Sequence, residues 1–208
     1  TAAQLPQDFH FHVLPDACIH IVFNLSEPVS AGLTALRTKA ENLNLGRSFH
    51  FVGIRFLPGV WQGGREELVR GVIKEPYPGD LPLTEAGRRL AAQDFADMQP
   101  VLVELVKRLI QERLLTVDPV TTSLLADIEE IHTVADMADI AGMSPRQLQR
   151  VIKQTTGFSP HDLLKILRLQ SSFVRDYLEF YADQSHYIHS FRNMTGYTPS
   201  SYARKFGV

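Results

Sequence analysis

Five polar side chains between residues 146 and 153 have the types and spacing of a surface that contacts nucleic acid. Guanidinium groups match the paired acceptors on the guanine edge, glutamine amides match adenine, and lysine suits phosphate oxygens. Leu148, Val151 and Ile152 lie between them at helical spacing, so one helix can bury the apolar residues and expose the polar ones. The predicted DNA-contacting residues of this helix are Arg146, Gln147, Gln149, Arg150 and Lys153.

The carboxy-terminal segment repeats itself at an offset of 39 residues. Residues 153–160 and 192–199 share, at matching positions, a base, a hydroxyl, glycine, an aromatic ring, a hydroxyl and proline. Glycine just after a helix takes the left-handed cap conformation, and Ser-Pro or Thr-Pro then begins the next helix. In the second copy Asp183 replaces Ser144 as the cap of the exposed helix. The corresponding DNA-contacting candidates are Gln184, Ser185, His186, His189 and Arg192.

Each of these helices needs a partner helix that holds it in place. Residues 134–141 predict a short helix, Gly142 and Met143 a turn, and Ser144-Pro145 the start of a helix that runs to about Thr155. Such an arrangement is a helix-turn-helix. Two units of this kind can place their exposed helices in successive major grooves, about 34 Å apart.

The charge distribution agrees with a basic carboxy-terminal module. The 21 basic and 23 acidic residues give the whole chain a formal net charge of −2. Residues 143–208 carry 9 basic and 4 acidic residues, whereas 101–142 carry 3 and 8. The composition excludes disordered and collagen-like chains, and no apolar run reaches the length of about 18 residues that a membrane span needs. Cys18 is a single cysteine, which fits a reducing compartment.

The amino-terminal residues favour β-structure. Apolar and polar residues alternate over 18–25, and a second strand is predicted over 49–56 before a turn at Pro58-Gly59. From Thr84, a plausible helix cap, the pattern predicts a helix over 85–98 and an amphipathic helix from Val101 that ends near Val117. The apolar stripe of this last helix fits a dimer surface or packing within its own domain equally well.

Three other groups of residues suggest different chemistry. His10, His12, His20 and His50 have the type of zinc or iron ligands, but no carboxylates or cysteine pair accompany them, so we favour ordinary strand histidines. Cys18 and His20 share a strand face, yet nothing in the sequence orients them for catalysis. Arg55 and Trp61 are candidates for a ligand pocket, and packing of Trp61 in the core is the favoured alternative.

Segment 123–206 resembles the AraC/XylS family of bacterial transcription regulators. The residues that carry the resemblance are those at 134–138, 142–150, 157–160, 168–170, 181–187, 191–192 and 195–199. The resemblance implies two helix-turn-helix units joined by a long helix over about 160–173. It also implies base contacts from Arg146, Gln149 and Arg150 in the first unit and from Gln184, Ser185, His186 and His189 in the second. The first hundred residues look like a less characterised β-rich domain found in some of these regulators.

The chain departs from the family pattern between Gln170 and Tyr181. The family normally has about ten more residues there and a turn glycine near Phe180. A loop absent from this sequence would explain the difference, and so would a deletion that cripples the second unit. We favour the first explanation, because a packed helix pair cannot lose that length and still close. A loop is also expected to be absent between residues 26 and 31, and a chain that begins with Thr1 is expected to have been trimmed.

The sequence as a whole predicts an α+β protein with a β-rich amino-terminal domain and an all-α carboxy-terminal domain. The expected divisions are a regulatory or sensor domain over 1–100, a linker or dimerisation helix over 101–118 and a double helix-turn-helix domain over 119–208. The predicted function is sequence-specific regulation of transcription in the cytoplasm, without enzymatic activity, cofactor, metal or membrane. Double-stranded DNA is the expected partner, with a small-molecule effector and a second copy of the chain as further candidates. The alternative is a small-molecule-binding regulatory protein whose DNA-binding module is incomplete.

Overall fold

The computed structural model describes residues 2–26, 28–174, 180–181 and 183–207. The chain divides into two compact units. The first consists of Thr1–Val13, Cys18–Leu36 and Glu41–Thr116, and the second of Leu14–Ala17, Arg37–Ala40 and Val117–Val208. The predicted combination of a β-rich amino-terminal region with a helical carboxy-terminal region is confirmed.

The strands lie in the first unit. They are β1 (Ala2–Gln4), β2 (His10–Val13), β3 (Ile19–Asn24), β4 (Ser30–Thr34), β5 (Glu41–Asn44), β6 (Ser48–Phe56) and β7 (Leu68–Val69). Five of them form one sheet in the order β1, β6, β3, β4, β7, in which only the β4 and β7 pair is parallel. The strands β2 and β5 form a separate antiparallel pair.

Buried and half-buried residues alternate along β3, which identifies the face of the larger sheet that packs in the core. Ile19, Ile21 and Phe23 are buried, whereas the residues between them are half-buried, so the predicted strand and its apolar face are confirmed. Ile21 lies opposite Ile54 of β6 in the sheet register. Burial of apolar side chains on this face supplies the main stabilisation of the unit, at about 25 cal/mol per Å² removed from water.

Two helices complete the core of the first unit: α1 (Leu83–Ala91) and α2 (Met98–Gln111). Both contribute buried side chains to the apolar cluster that includes Ile21 and Phe23. Thr84, expected as a cap, lies inside α1, which begins at the fully buried Leu83 with Pro82 in the cap position. The single helix expected over 85–98 is instead interrupted, with a 3₁₀ turn over Phe95–Asp97 before α2 begins.

The end of α2 also differs from the prediction near Val117. Arg113 adopts a left-handed conformation with φ 60°, and the Leu114 N–H donates to the Leu109 carbonyl at 2.9 Å. The chain then turns back so that Leu115 forms a bridge with Trp61. The side chains of Val101, Leu105 and Leu109 are buried in the core of their own unit, which accounts for most of the apolar stripe.

The second unit contains six helices among its described residues. They are α3 (Pro119–Ala126), α4 (Val134–Ile140), α5 (Pro145–Thr156), α6 (Pro160–Ser171), α7 (Gln184–Thr195) and α8 (Pro199–Phe206). The sequence departs from the family pattern between Gln170 and Tyr181, and residues 175–179 of that stretch lie outside the described residues. None of the described helices combines the length and the apolar character needed to cross a membrane.

Two short segments from early in the sequence belong to the second unit, which sequence patterns do not predict. The Pro15 carbonyl accepts a hydrogen bond from Gln170 Nε2 of α6 at 2.7 Å. The Ala40 N–H donates to the Met194 carbonyl of α7 at 2.7 Å. These bonds satisfy backbone groups that would otherwise need water or another partner.

Candidate nucleic-acid interface

The helix pair α4 and α5 forms the first helix-turn-helix, and both helices are capped by side chains. Thr133 Oγ1 accepts from the Asp136 N–H at 3.2 Å, while Asp136 Oδ2 accepts from the Thr133 N–H at 2.7 Å. At α5, Ser144 accepts from the Gln147 N–H and Gln147 Oε1 accepts from the Ser144 N–H at 3.0 Å. Each reciprocal pair satisfies two donors at a helix start, which fixes where the helix begins.

The turn between these helices depends on Gly142, which has φ 62°. The Met143 N–H donates to the Ala138 carbonyl at 2.9 Å and closes the turn. Met137, Leu148 and Ile152 are fully buried, so the apolar side of α5 packs within the unit. The local sequence therefore fixes both the start of α5 and the side of it that faces solvent.

The exposed side of α5 carries the residues predicted to contact DNA. The side chains of Arg146, Gln149 and Arg150 are exposed and form no hydrogen bond or ion pair with any described residue. Their polar groups are therefore available to base edges and phosphates. At the helix end, Lys153 is exposed and its Nζ donates to the Gly157 carbonyl at 2.8 Å.

Gln147 is exposed, but part of its side chain is already engaged. Its Oε1 accepts from both the N–H and the hydroxyl of Ser144, the latter at 2.8 Å. The amide nitrogen of Gln147 is not used by this cap and can donate to another group. The sequence prediction placed this residue on the DNA-contacting face without recognising its capping role. A glutamine three residues after a cap serine is the signal that could have found that role.

The second copy of the repeat has the same capping pattern, with α7 in the place of α5 and α8 in the place of α6. Asp183 Oδ1 accepts from the His186 N–H at 2.8 Å, and Gly196 ends α7 in a left-handed conformation with φ 82°. Thr198 caps α8 by accepting from the Ser201 N–H at 3.3 Å. Gly157 at the end of α5 has φ 81°, nearly the same as Gly196, so the predicted repeat of helix, glycine cap and new helix is confirmed.

Aromatic rings hold α7 on its buried side. Tyr187 and Phe191 are 9% and 2% exposed, and their ring centroids lie 5.6 Å apart in an edge-to-face arrangement. Tyr202 of α8 contacts Phe191 at 5.5 Å between centroids. Edge-to-face pairs of this kind are favourable beyond the area that they bury. The residues predicted to contact DNA all lie exposed on the remaining surface of the helix: Gln184, Ser185, His186, His189 and Arg192.

Sequence reasoning did not single out Ile188 on the same helix. Its side chain is 37% exposed, whereas Tyr187 beside it is buried. Ile188 lies one helical turn after Gln184 and one turn before Arg192, both of which are exposed. The repeat offset contained the signal, because it aligns Ile188 with Gln149 of α5.

Two parts of the chain match known protein families. Residues 132–165, which contain α4, the turn and α5, match the model described as bacterial regulatory helix-turn-helix proteins, AraC family. The chain is therefore a DNA-binding transcription regulator that contains an AraC-type helix-turn-helix. Residues 1–63 match a second model, described only as a domain of unknown function, DUF6597.

Comparison with whole proteins adds little to the family matches. No curated protein matches the regulator. Among solved structures, apo ToxT from Vibrio cholerae strain SCE256, in a lysine-to-alanine variant, is similar at a TM-score of 0.47 and 11% sequence identity. That match covers 97% of this chain and 95% of the ToxT chain.

Arg168 of α6 connects the two helix-turn-helix units of the regulator. Its guanidinium donates to the His132 carbonyl just before α4, and it lies close enough to Asp136 and Tyr181 for electrostatic interaction. Burial lowers the pKa of Arg168 and raises that of Tyr181. Asp136 has a lowered pKa, because the His132 N–H donates to its carboxylate and Thr133 donates to it as well.

The two candidates for a ligand pocket occupy different environments in the regulator. Trp61 is 5% exposed and packs against Phe56 with ring centroids 5.9 Å apart, within the core of the first unit. Arg55 is exposed and lies opposite His20 in the sheet register. Because successive strand residues point to opposite faces, Arg55 and the buried Phe56 lie on different sides of β6. The structure does not bring Arg55 and Trp61 together.

The four histidines considered as metal ligands are divided between two sheets. His10 and His12 lie on β2, and His12 Nδ1 is 2.7 Å from Asn42 Oδ1. His20 lies on β3 and His50 on β6 of the larger sheet. Over the residues that the structure describes, no three His, Cys, Asp or Glu side chains converge as a metal site. Cys18 is a free cysteine and is buried.

Proposed function

We propose that this regulator is effector-controlled and recognises a specific DNA sequence through α5 and α7. In α5, Arg146, Gln149 and Arg150 contact bases and Lys153 contacts phosphate. The side-chain amide N–H of Gln147 donates a hydrogen bond to the DNA backbone. In α7, the base-contacting residues are Gln184, Ser185, His186 and His189, and Arg192 contacts phosphate. Two capped helices on one unit can enter successive major grooves about 34 Å apart.

One observation carries the proposal. Arg146, Gln149 and Arg150 are exposed on the first turns of a helix whose opposite side is fully buried. The helix start is fixed by two capping bonds between Ser144 and Gln147. Recognition helices present their first turns to the major groove, and a helix whose start is already fixed needs less ordering of its backbone on binding. A guanidinium and a glutamine amide also match guanine and adenine edges respectively.

The amino-terminal domain over 1–100 is proposed as the effector-sensing or dimerising part. Its match to a domain of unknown function leaves the ligand class open. Residues 101–118 are proposed as the linker or dimerisation helix, through the exposed Val103 and Ile110 rather than the buried stripe. We further propose that the regulator works in the cytoplasm, is not an enzyme, and needs no cofactor or metal.

Selection of bound duplexes from a random pool tests the proposed function. The full chain is used at about 100 mM salt, where nonspecific phosphate binding is weakened. We expect enrichment of a motif that spans about two helical turns, and tighter binding to it than to a scrambled duplex. Circular dichroism confirms that the sample is folded. A folded sample that enriches no motif, with or without candidate effectors, would contradict the proposal.

A second candidate function is a ligand-binding regulatory protein with an incomplete DNA-binding module. It is favoured by the weak positive charge of α7, where Arg192 is the only Lys or Arg between Gln184 and Thr195. The exposed face of α5, by comparison, carries Arg146, Arg150 and Lys153. A footprint of one helical turn on the selected duplex would favour this candidate, whereas a footprint of two turns would favour recognition by both α5 and α7.

A further inference from the structure

The two glycine caps set α5 and α7 in a common register. Gly157 and Gly196 end their helices with φ 81° and 82°. Counting back from these caps aligns Leu148 with Tyr187 and Ile152 with Phe191, all of which are buried. Because apolar packing residues align with apolar packing residues, the exposed positions of the helices also correspond.

In this register, Ile188 of α7 replaces Gln149 of α5. Single apolar residues are common on protein surfaces, so exposure alone assigns no role to Ile188. Its position is the informative feature, because the aligned glutamine lies on the face proposed to contact bases. The neighbours of Ile188 one turn away, Gln184 and Arg192, are polar and exposed.

The chemistry of the major groove gives an exposed aliphatic side chain a specific target. Each base pair presents hydrogen-bond donors and acceptors there, and thymine adds an apolar C5-methyl group. A branched aliphatic side chain can exclude water from that methyl group but cannot satisfy a polar base edge. An isoleucine on this face therefore favours thymine over the other three bases.

We infer that Ile188 is a specificity-determining residue that contacts the C5-methyl group of one thymine in the second half of the DNA site. The inference rests on the proposed function, in which α7 enters the major groove. It follows that α5 and α7 recognise different bases at corresponding positions. Gln149 favours adenine in the first half-site, and Ile188 favours thymine in the second.

Removing a single methyl group from the DNA tests this contact directly. Selection first identifies the bound site for the wild-type chain, and each thymine of the second half-site is then replaced in turn by deoxyuridine. We expect one replacement to weaken wild-type binding by about fourfold, the effect of losing one buried methyl group. The same replacement should leave binding by Ile188→Ala unchanged, because the contact is already absent.

The polar variant Ile188→Gln supplies a second readout. It places at α7 the residue that α5 carries at the corresponding position, so the preferred base should change from thymine to adenine. The matched exchange, Gln149→Ile, should produce the opposite change in the first half-site and leave the second half-site as it was. Thermal unfolding of all three variants is measured beside binding, and unchanged midpoints exclude a general loss of structure.

The possible results separate the inference from the proposed function. A selected site that spans both half-sites but responds equally to deoxyuridine in wild type and Ile188→Ala would overturn the role of Ile188 alone. An unchanged base preference in a folded Ile188→Gln variant would do the same. Absence of any selected motif would overturn the proposed function, and the role of Ile188 with it.

Discussion

His189 of α7 lies at the position that Arg150 occupies on α5, and both side chains are exposed. Each helix is capped by a side chain, buries the corresponding side and ends at a glycine, so the two differ mainly in the side chains that they present to solvent. An arginine is always charged near neutral pH and donates in a fixed fork, whereas a histidine offers two ring nitrogens. The helix-turn-helix that contains α5 is therefore expected to contribute more of the affinity for DNA.

Substitution of either residue should change the affinity for one half-site. We expect Arg150→Ala to cost about 1–3 kcal/mol of binding free energy and to relax base preference at one position of the first half-site. His189→Arg should strengthen binding, because it adds a cation and a guanidinium fork to α7. Titration of the selected duplex and a scrambled duplex measures both effects.

Lys153→Ala serves as the control for these substitutions. As a phosphate contact, it should weaken binding to both duplexes alike and lower the salt dependence by about one unit of slope. Equal losses on the selected and scrambled duplexes for Arg150→Ala would show that Arg150 contacts only the backbone.

Gln147 should contribute to stability and binding through different atoms. Gln147→Glu keeps an oxygen that accepts from Ser144, so stability should be retained while affinity for DNA falls through loss of a donor and added negative charge. Gln147→Ala removes the reciprocal cap and should lower the free energy of unfolding by about 0.5–1 kcal/mol. Thermal unfolding and duplex titration separate the two effects. If both variants lost stability equally, the capping role would be wrong.

The features most fully anticipated by the sequence are those fixed by local chemistry. Ser144, Ser159 and Thr198 begin helices as expected, because each hydroxyl accepts from an N–H three residues later. Gly157 and Gly196 end helices as expected, because their positive φ strains any residue with a Cβ atom. These signals depend on neighbours within a few residues, so one sequence suffices to recognise them.

The features missed depend on contacts between distant parts of the chain. The bridge between Leu115 and Trp61 brings together residues that are far apart in sequence, and α2 ends earlier than its apolar pattern suggests. The hydrogen bonds of Pro15 with α6 and of Ala40 with α7 join residues that are even farther apart in the sequence. Ile188 was missed for another reason: apolar residues on a helix are normally assigned to the core, and only its exposure separates it from Tyr187.

Replacement of Gly196 should reveal the conformational strain at the end of α7. A Cβ atom there would meet no heavy atom within 4 Å, so Gly196→Ala introduces no clash. Its φ of 82° is nevertheless unfavourable for alanine, and we expect a loss of about 1 kcal/mol in the free energy of unfolding. Gly196→Asn is the matched control and should lose less, because asparagine tolerates the left-handed region. Chemical denaturation measures the difference, and equal losses would argue against backbone strain as the cause.

Asp136 should make the stability of the first helix-turn-helix sensitive to acid. The His132 N–H donates to its carboxylate, and the Thr133 backbone and side chain also favour the charged form, so its pKa is lowered in the folded chain. A lowered folded-state pKa means that the stabilisation is present above the unfolded-state value of about 3.9. It is lost as the pH falls through the lower folded-state pKa.

Asp136→Asn isolates this contribution, because the amide oxygen can still accept a hydrogen bond but carries no charge. At pH 7 we expect the variant to be less stable by about 0.5 kcal/mol, a modest value because the carboxylate is solvent-accessible. The difference from wild type should shrink as the pH falls below about 4 and vanish once the wild-type carboxyl group is protonated. Urea denaturation at a series of pH values from 7 to 2 measures it. A difference that stayed constant across that range would mean that the charge of Asp136 does not stabilise α4, and that the substitution acts only through hydrogen-bond geometry.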